Sequence, residues 1–166
     1  MDATNNVILD SKKDPVEMGL VQLYEGKLFN QFDHRFASFN YDDQGKIIDA
    51  KNVELPHKQD SHFKITPRYW VSQSLVTEKW EQKGWKQPWA LAWRDISRAT
   101  DERTIIATVL PASVGVGGTA NLLMPQVEEK KAACLLAMLN SMIVDYVERI
   151  KQAGAHSNLL YIKQLP

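Results

Sequence analysis

The stretch Glu128–Gln152, EEKKAACLLAMLNSMIVDYVERIKQ, carries the strongest periodic signal in a chain of 166 residues. Its apolar residues Ala132, Ala133, Leu135, Leu136, Leu139, Met142, Ile143, Tyr146, Val147 and Ile150 recur at the spacing of a helix that buries one face. Glu128 and Glu129 in the first turn and Arg149 and Lys151 in the last complement the helix dipole, and Gly154 is a stop signal. Between Ala132 and Leu139 the apolar arc widens almost to the full circumference, which requires cover on more than one side. The stretch therefore predicts one long helix running through the core. Its heptads are too few for a coiled coil. Cys134, the lone cysteine, lies between Ala133 and Leu135 and is expected to be a buried, unreactive thiol.

Around this helix the chain reads as short strands. Asn158–Leu165, after the helix, is predicted to be extended. Before it, Thr104–Leu110, Pro88–Ile96 and Ile65–Val71 alternate or run apolar as strands do, the last entered through Pro67. Ser72–Gln82 spaces Leu75, Val76 and Trp80 as a short helix, with Ser72 or Ser74 as cap and Gly84 as stop. Leu20–Tyr24 and Lys27–Phe32 read as two strands around Gly26, whereas Asn40–Phe63 reads as a long polar loop with a short insert at Lys46-Ile47-Ile48. Met1–Val16 is polar and without periodicity. The expected fold class is α+β: a mixed, largely antiparallel sheet of short strands packed on one long C-terminal helix and one or two shorter helices. Residues 1–17 are expected to be a flexible lead-in and residues 18–166 a single domain, a size that buries a core without staples.

Lysine and arginine balance aspartate and glutamate at 20 each. This argues against a protein that coats nucleic acid by charge alone. The balance hides an asymmetry. Residues 1–50 hold five basic against nine acidic side chains, residues 51–100 nine against five, and the remainder six against six. All five tryptophans, Trp70, Trp80, Trp85, Trp89 and Trp93, lie in the basic third. Basic and aromatic residues together suit nucleic acid, although tryptophans equally suit a core and clustered lysines a solvated face. A lone thiol, an N-terminus unlike a signal peptide and the absence of a long apolar run are expected of a cytoplasmic protein in solution.

Catalytic signatures are missing. The chain has no Gly-x-Ser-x-Gly elbow, no His-Glu-x-x-His, no dinucleotide fingerprint and no paired cysteines. Gly115, Gly117 and Gly118 follow a strand but lack the Lys-Ser/Thr of a phosphate loop, and Pro125 ends the next segment before a helix can form, so a glycine-rich turn is expected. Asp33-His34 invites an acid/base or metal reading, yet His57 and His62 lie far along a polar loop and too few ligands gather for zinc. No catalytic, metal or cofactor site is expected in this chain.

Four ordered segments carry a resemblance. They are Leu23-Tyr24-Glu25-Gly26-Lys27 with Phe32-Asp33-His34-Arg35-Phe36; Pro67-Arg68-Tyr69-Trp70; Glu102-Arg103-Thr104 leading into Leu110-Pro111; and Leu139-Asn140-Ser141 with the tail Ile162-Lys163-Gln164-Leu165-Pro166. In this order they resemble the C-terminal target-recognition region of TaqI-like type II restriction-modification proteins, which are adenine-specific DNA methyltransferases often fused to a nuclease. The resemblance implies a domain that reads double-stranded DNA for a methyltransferase core. The family's S-adenosylmethionine loop and Asn-Pro-Pro-Tyr or Asn-Pro-Pro-Phe motif are not in these residues, so the core and its cofactor S-adenosylmethionine are expected upstream or on another chain. The residues expected to contact DNA are Arg68, Tyr69, Arg94 and Arg103, with Lys58 and Lys64 on the loop; each arginine is alternatively a salt-bridge partner within the fold. A protein-interaction or scaffold domain without DNA contact is the alternative.

Overall fold

The computed structural model describes residues 15–112, 114–152 and 154–165. Eight strands appear in chain order: β1 (Leu20–Tyr24), β2 (Ala37–Tyr41), β3 (Ile47–Asn52), β4 (Tyr69–Ser72), β5 (Trp89–Arg94), β6 (Ala107–Pro111), β7 (Gly115–Val116) and β8 (Ala120–Leu123). Five helices accompany them: α1 (Leu55–Gln59), α2 (Gln73–Gln82), α3 (Glu129–Leu139), α4 (Met142–Lys151) and α5 (Leu159–Ile162). The strands form three small sheets in the orders β4-β1-β7, β2-β3 and β6-β5-β8, and every pairing except the parallel β1/β7 is antiparallel. This is the mixed α+β fold with short antiparallel strands that the sequence predicts. Of the lead-in expected over residues 1–17, residues 1–14 lie outside the described residues.

The predicted long helix is two helices. At Asn140 the chain leaves α3, and Ser141, extended at φ −74° and ψ 152°, caps α4 by accepting the Val144 N–H at 3.2 Å. The break resets the helical phase. Ala132, Leu136 and Leu139 of α3 are buried as expected, the two leucines in one cluster with Leu91 and Trp93 of β5 and Ile105. On α4, Val144 is the buried apolar residue, while Met142, Ile143, Tyr146 and Ile150 face outward at 64–74 % exposure. Cys134 is exposed, contrary to expectation, because the buried stripe of α3 is narrower than its apolar arc.

The inner face of α4 is polar, and its groups are bonded to the loops it crosses. Asp145 Oδ1 accepts the buried N–H groups of Thr104 and Ile105 at 2.6 and 3.0 Å, Glu148 accepts the Ser157 hydroxyl at 2.8 Å, and Gln152 donates to the Ser97 carbonyl at 2.8 Å. Asn140, in the break itself, accepts the Ala107 N–H at 3.0 Å and donates to the Ala107 carbonyl at 2.9 Å, so one side chain pairs with β6 as another strand would.

Other expectations shift with local chemistry. Lys27–Phe32 is no strand: Gly26–Leu28 forms one 3-10 turn. A Cβ on Gly26 would stand 2.6 Å from the Thr119 carbonyl oxygen, so only glycine lets this turn approach so closely. The loop expected over Asn40–Phe63 contains the β2–β3 hairpin, closed at Asp42 and Gly45, and α1. The C-terminal segment expected to be extended holds α5 instead, capped by Asn158 through the Leu160 N–H at 2.9 Å.

The glycine-rich segment is structural. β7 pairs with the end of β1, and a Cβ on Gly115 would stand 2.7 Å from Val71, so glycine serves close strand approach there, whereas a Cβ on Gly118 would meet nothing within 4 Å.

Candidate nucleic-acid interface

Pairing of β2 with β3 and of β1 with β4 brings three separated segments to one edge: the turn at Glu25-Gly26-Lys27, the run Phe32–Phe39 and the segment Lys58–Tyr69. Two hydrogen bonds join the second of these to the third, Phe39 N–H to the Thr66 carbonyl and Thr66 N–H to the Ser38 hydroxyl, each at 2.9 Å.

Arg68 lies at the centre. Its guanidinium is 4.9 Å from the Phe39 ring and 5.9 Å from the Tyr69 ring, and Lys27 approaches Phe39 at 5.0 Å. Arg68 Nε faces Glu25 Oε2 at 3.7 Å, beyond hydrogen-bond length, and neither of these two buried atoms has a hydrogen-bond partner among the described residues. The guanidinium is thus held near a carboxylate without being saturated by it. Tyr69 is exposed beside it, and Tyr41 donates its hydroxyl to the Pro67 carbonyl at 2.7 Å, fixing the backbone that carries both. Burial raises the Tyr41 pKa, and neighbouring Arg68 opposes the rise. Lys64, exposed on the same segment, has no ion pair or hydrogen bond from its side chain among the described residues.

Lys58 and Arg94 meet at Phe36. Lys58 Nζ lies 5.6 Å from that ring and pairs with Asp33 Oδ2 at 2.6 Å, and the Arg94 guanidinium lies 5.9 Å from the same ring. Arg94 also donates to the Phe29 carbonyl through Nε at 3.0 Å and through a second nitrogen, and burial lowers its pKa. It braces the Phe29 turn, the structural role left open by the sequence. Arg103 stands apart: among the described residues no hydrogen bond, ion pair or ring contact joins it to this edge, and its neighbour Thr104 is tied to Asp145 of α4.

Two residues of this edge escaped the sequence reading. Arg35 donates to the carbonyls of Lys58, Asp60 and Phe63 at 2.7, 2.8 and 3.3 Å and so holds the whole 58–63 segment against the Phe32–Phe36 turn. Lys27 was hidden in a predicted strand. The rings that accompany the cations are Phe36, Phe39 and Tyr69, whereas Trp80 and Trp93 are core residues and Trp85 donates to the Trp89 carbonyl at 2.6 Å.

The Asp33-His34 pair makes no acid/base couple. Asp33 accepts the Arg35 N–H at 2.9 Å and binds Lys58, while burial, then Arg35, lowers the His34 pKa. Among the described residues no three metal-binding side chains gather, and no helix is long and apolar enough to cross a membrane. Comparison with protein-family models, curated proteins and solved structures gives no match.

Proposed function

We propose that this chain is the sequence-specific DNA-recognition domain of a cytoplasmic restriction-modification DNA adenine methyltransferase, reading the target site for a catalytic core that lies upstream or on another chain. One observation carries the reading: Arg68, paired with Glu25 at 3.7 Å but without a hydrogen bond at Nε, lies within cation–ring distance of Phe39 and of exposed Tyr69, with Lys27 over the same Phe39 ring. A guanidinium flanked by rings and paired with a carboxylate only through Nε, beyond hydrogen-bond length, suits bidentate contact with guanine, and the neighbouring Lys27 ammonium suits phosphate. S-adenosylmethionine belongs to the core in this reading, since the family's cofactor loop is not among these residues.

A second reading has its own support. The outward apolar face of α4 favours a protein-interaction domain without DNA contact. A recognition domain also needs a surface for its core, so that face is compatible with both. Titration of duplex binding against salt separates them. The DNA reading predicts that log affinity falls linearly with log salt, with a slope of about −3 to −4 if Lys27, Lys58, Lys64 and one further cation each neutralise a phosphate. Binding that is undetectable at low salt sinks it and leaves the interaction domain.

A further inference from the structure

Phe32 combines properties that rarely coincide. It holds φ at 59°, in the left-handed region where a bulky side chain is an outlier. Its side chain is 62 % exposed, so packing within the domain does not repay that conformation. Yet the backbone around it is fixed from several directions. The Phe32 N–H donates to the Ala107 carbonyl at 3.1 Å, Asn30 and Asp33 exchange both backbone bonds at 2.8 and 3.0 Å, and the Gln31 amide reaches the carbonyls of Ile105 at 3.2 Å and Asn140 at 3.4 Å. A position that glycine would fill without strain is instead a rigid turn aiming an aromatic ring at solvent.

The surroundings select what covers that ring. The turn runs directly into Asp33, Arg35 and Phe36, where Lys58 and Arg94 flank an aromatic face. An uncovered planar ring in the turn just before Phe36, whose own ring has Lys58 and Arg94 near it, matches the alternation of base faces and phosphates in nucleic acid, and apolar side chains inserted between base steps are a general means of unstacking and bending a duplex.

We propose that Phe32 is a wedge that enters the stack between adjacent base pairs of a duplex lying along this edge. The proposal rests on the DNA-recognition reading and deepens it by assigning deformation of the duplex to one side chain. Insertion needs no movement of the protein, because the strain that presents the ring is already held by β6 and the α3–α4 break.

The test compares binding of the full chain to a short mixed-sequence duplex and to the same duplex carrying a central one-nucleotide gap, with 2-aminopurine beside the gap position. Unstacking is prepaid in the gapped duplex, so the wild type is expected to bind it roughly tenfold more tightly and to brighten 2-aminopurine in the intact one. Phe32→Gly removes the ring and relieves the backbone. It should keep or raise the melting temperature, weaken intact-duplex binding by roughly 5- to 100-fold and lose the gap preference, while Phe32→Trp retains both effects. Unchanged affinity and gap preference in a folded Phe32→Gly protein overturns the wedge alone, leaving the recognition reading in place and the ring to a protein partner. A wild type that binds neither duplex overturns the recognition reading, and the wedge with it.

Discussion

α3 and α4 come from one unbroken apolar pattern, yet they are held to the domain by opposite means. α3 presents Ala132, Leu136 and Leu139 inward and is placed by removal of apolar surface from water. α4 presents Asp145, Glu148 and, just past its end, Gln152, and is placed by satisfying backbone groups of the loops at Ser97 and Thr104-Ile105. Its Met142, Ile143, Tyr146 and Ile150 are left outside. Apolar periodicity therefore locates a helix without saying which face is buried when the surface to be covered is polar backbone.

This contrast sets the order of expected effects. Leu139→Asp places an unpaired carboxylate in the α3 contact and should cost roughly 4 kcal/mol or more, unfolding a marginal domain. A thermal transition at the wild-type temperature would show that α3 is not seated as described. Asp145→Ala and Asn140→Ala leave buried donors unpaired, the Thr104 and Ile105 N–H in one case and the Ala107 N–H in the other, whose carbonyl keeps the Phe32 N–H, and each should cost about 2–4 kcal/mol by denaturant melts. If these variants lose no more than a surface substitution does, hydrogen bonding does not place α4.

Glu148 gives a smaller, signed effect. Burial raises its pKa, Asp145 adds to the rise, and the Ser157 bond and Lys151 oppose it. A carboxyl whose folded pKa lies above its unfolded value binds protons more readily in the folded state, so stability falls as pH rises through the interval between the two. Glu148→Gln cannot ionise. Its stability relative to the wild type should therefore improve as pH rises from about 4.5, the ordinary carboxylate value, and a pH-independent difference contradicts the assignment. The smallest effect is expected outside: Ile143→Thr should change the stability of the isolated chain by no more than about 0.5 kcal/mol.

Much of this framework was legible. β1, α2 and β5 lie where apolar spacing and the Gly84 stop put them, because Leu20 and Tyr24, Val76 and Trp80, and Leu91 and Trp93 are buried at that spacing. The α3–α4 break was visible as Asn140-Ser141, two residues that compete with helical hydrogen bonding, but the apolar spacing continued across it. α5 was missed because a short apolar run does not separate strand from helix, although Asn158 was available as a cap. At the edge, the Arg68 guanidinium lies 5.9 Å from the Tyr69 ring, its neighbour in sequence. The roles of Arg35 and Phe32 depend on long-range contacts to the 58–63 segment and to β6, which local spacing does not encode.

The central claim is that the Arg68 edge reads a DNA sequence. Selection of duplexes bound by the full chain from a pool with randomised base pairs addresses it directly. The recognition reading predicts enrichment of one short motif containing guanine, with Arg68→Ala relaxing a single position of that motif by roughly 1–3 kcal/mol while leaving stability intact. A pool that stays random after repeated rounds, or an enriched motif that Arg68→Ala leaves unchanged at every position, contradicts it.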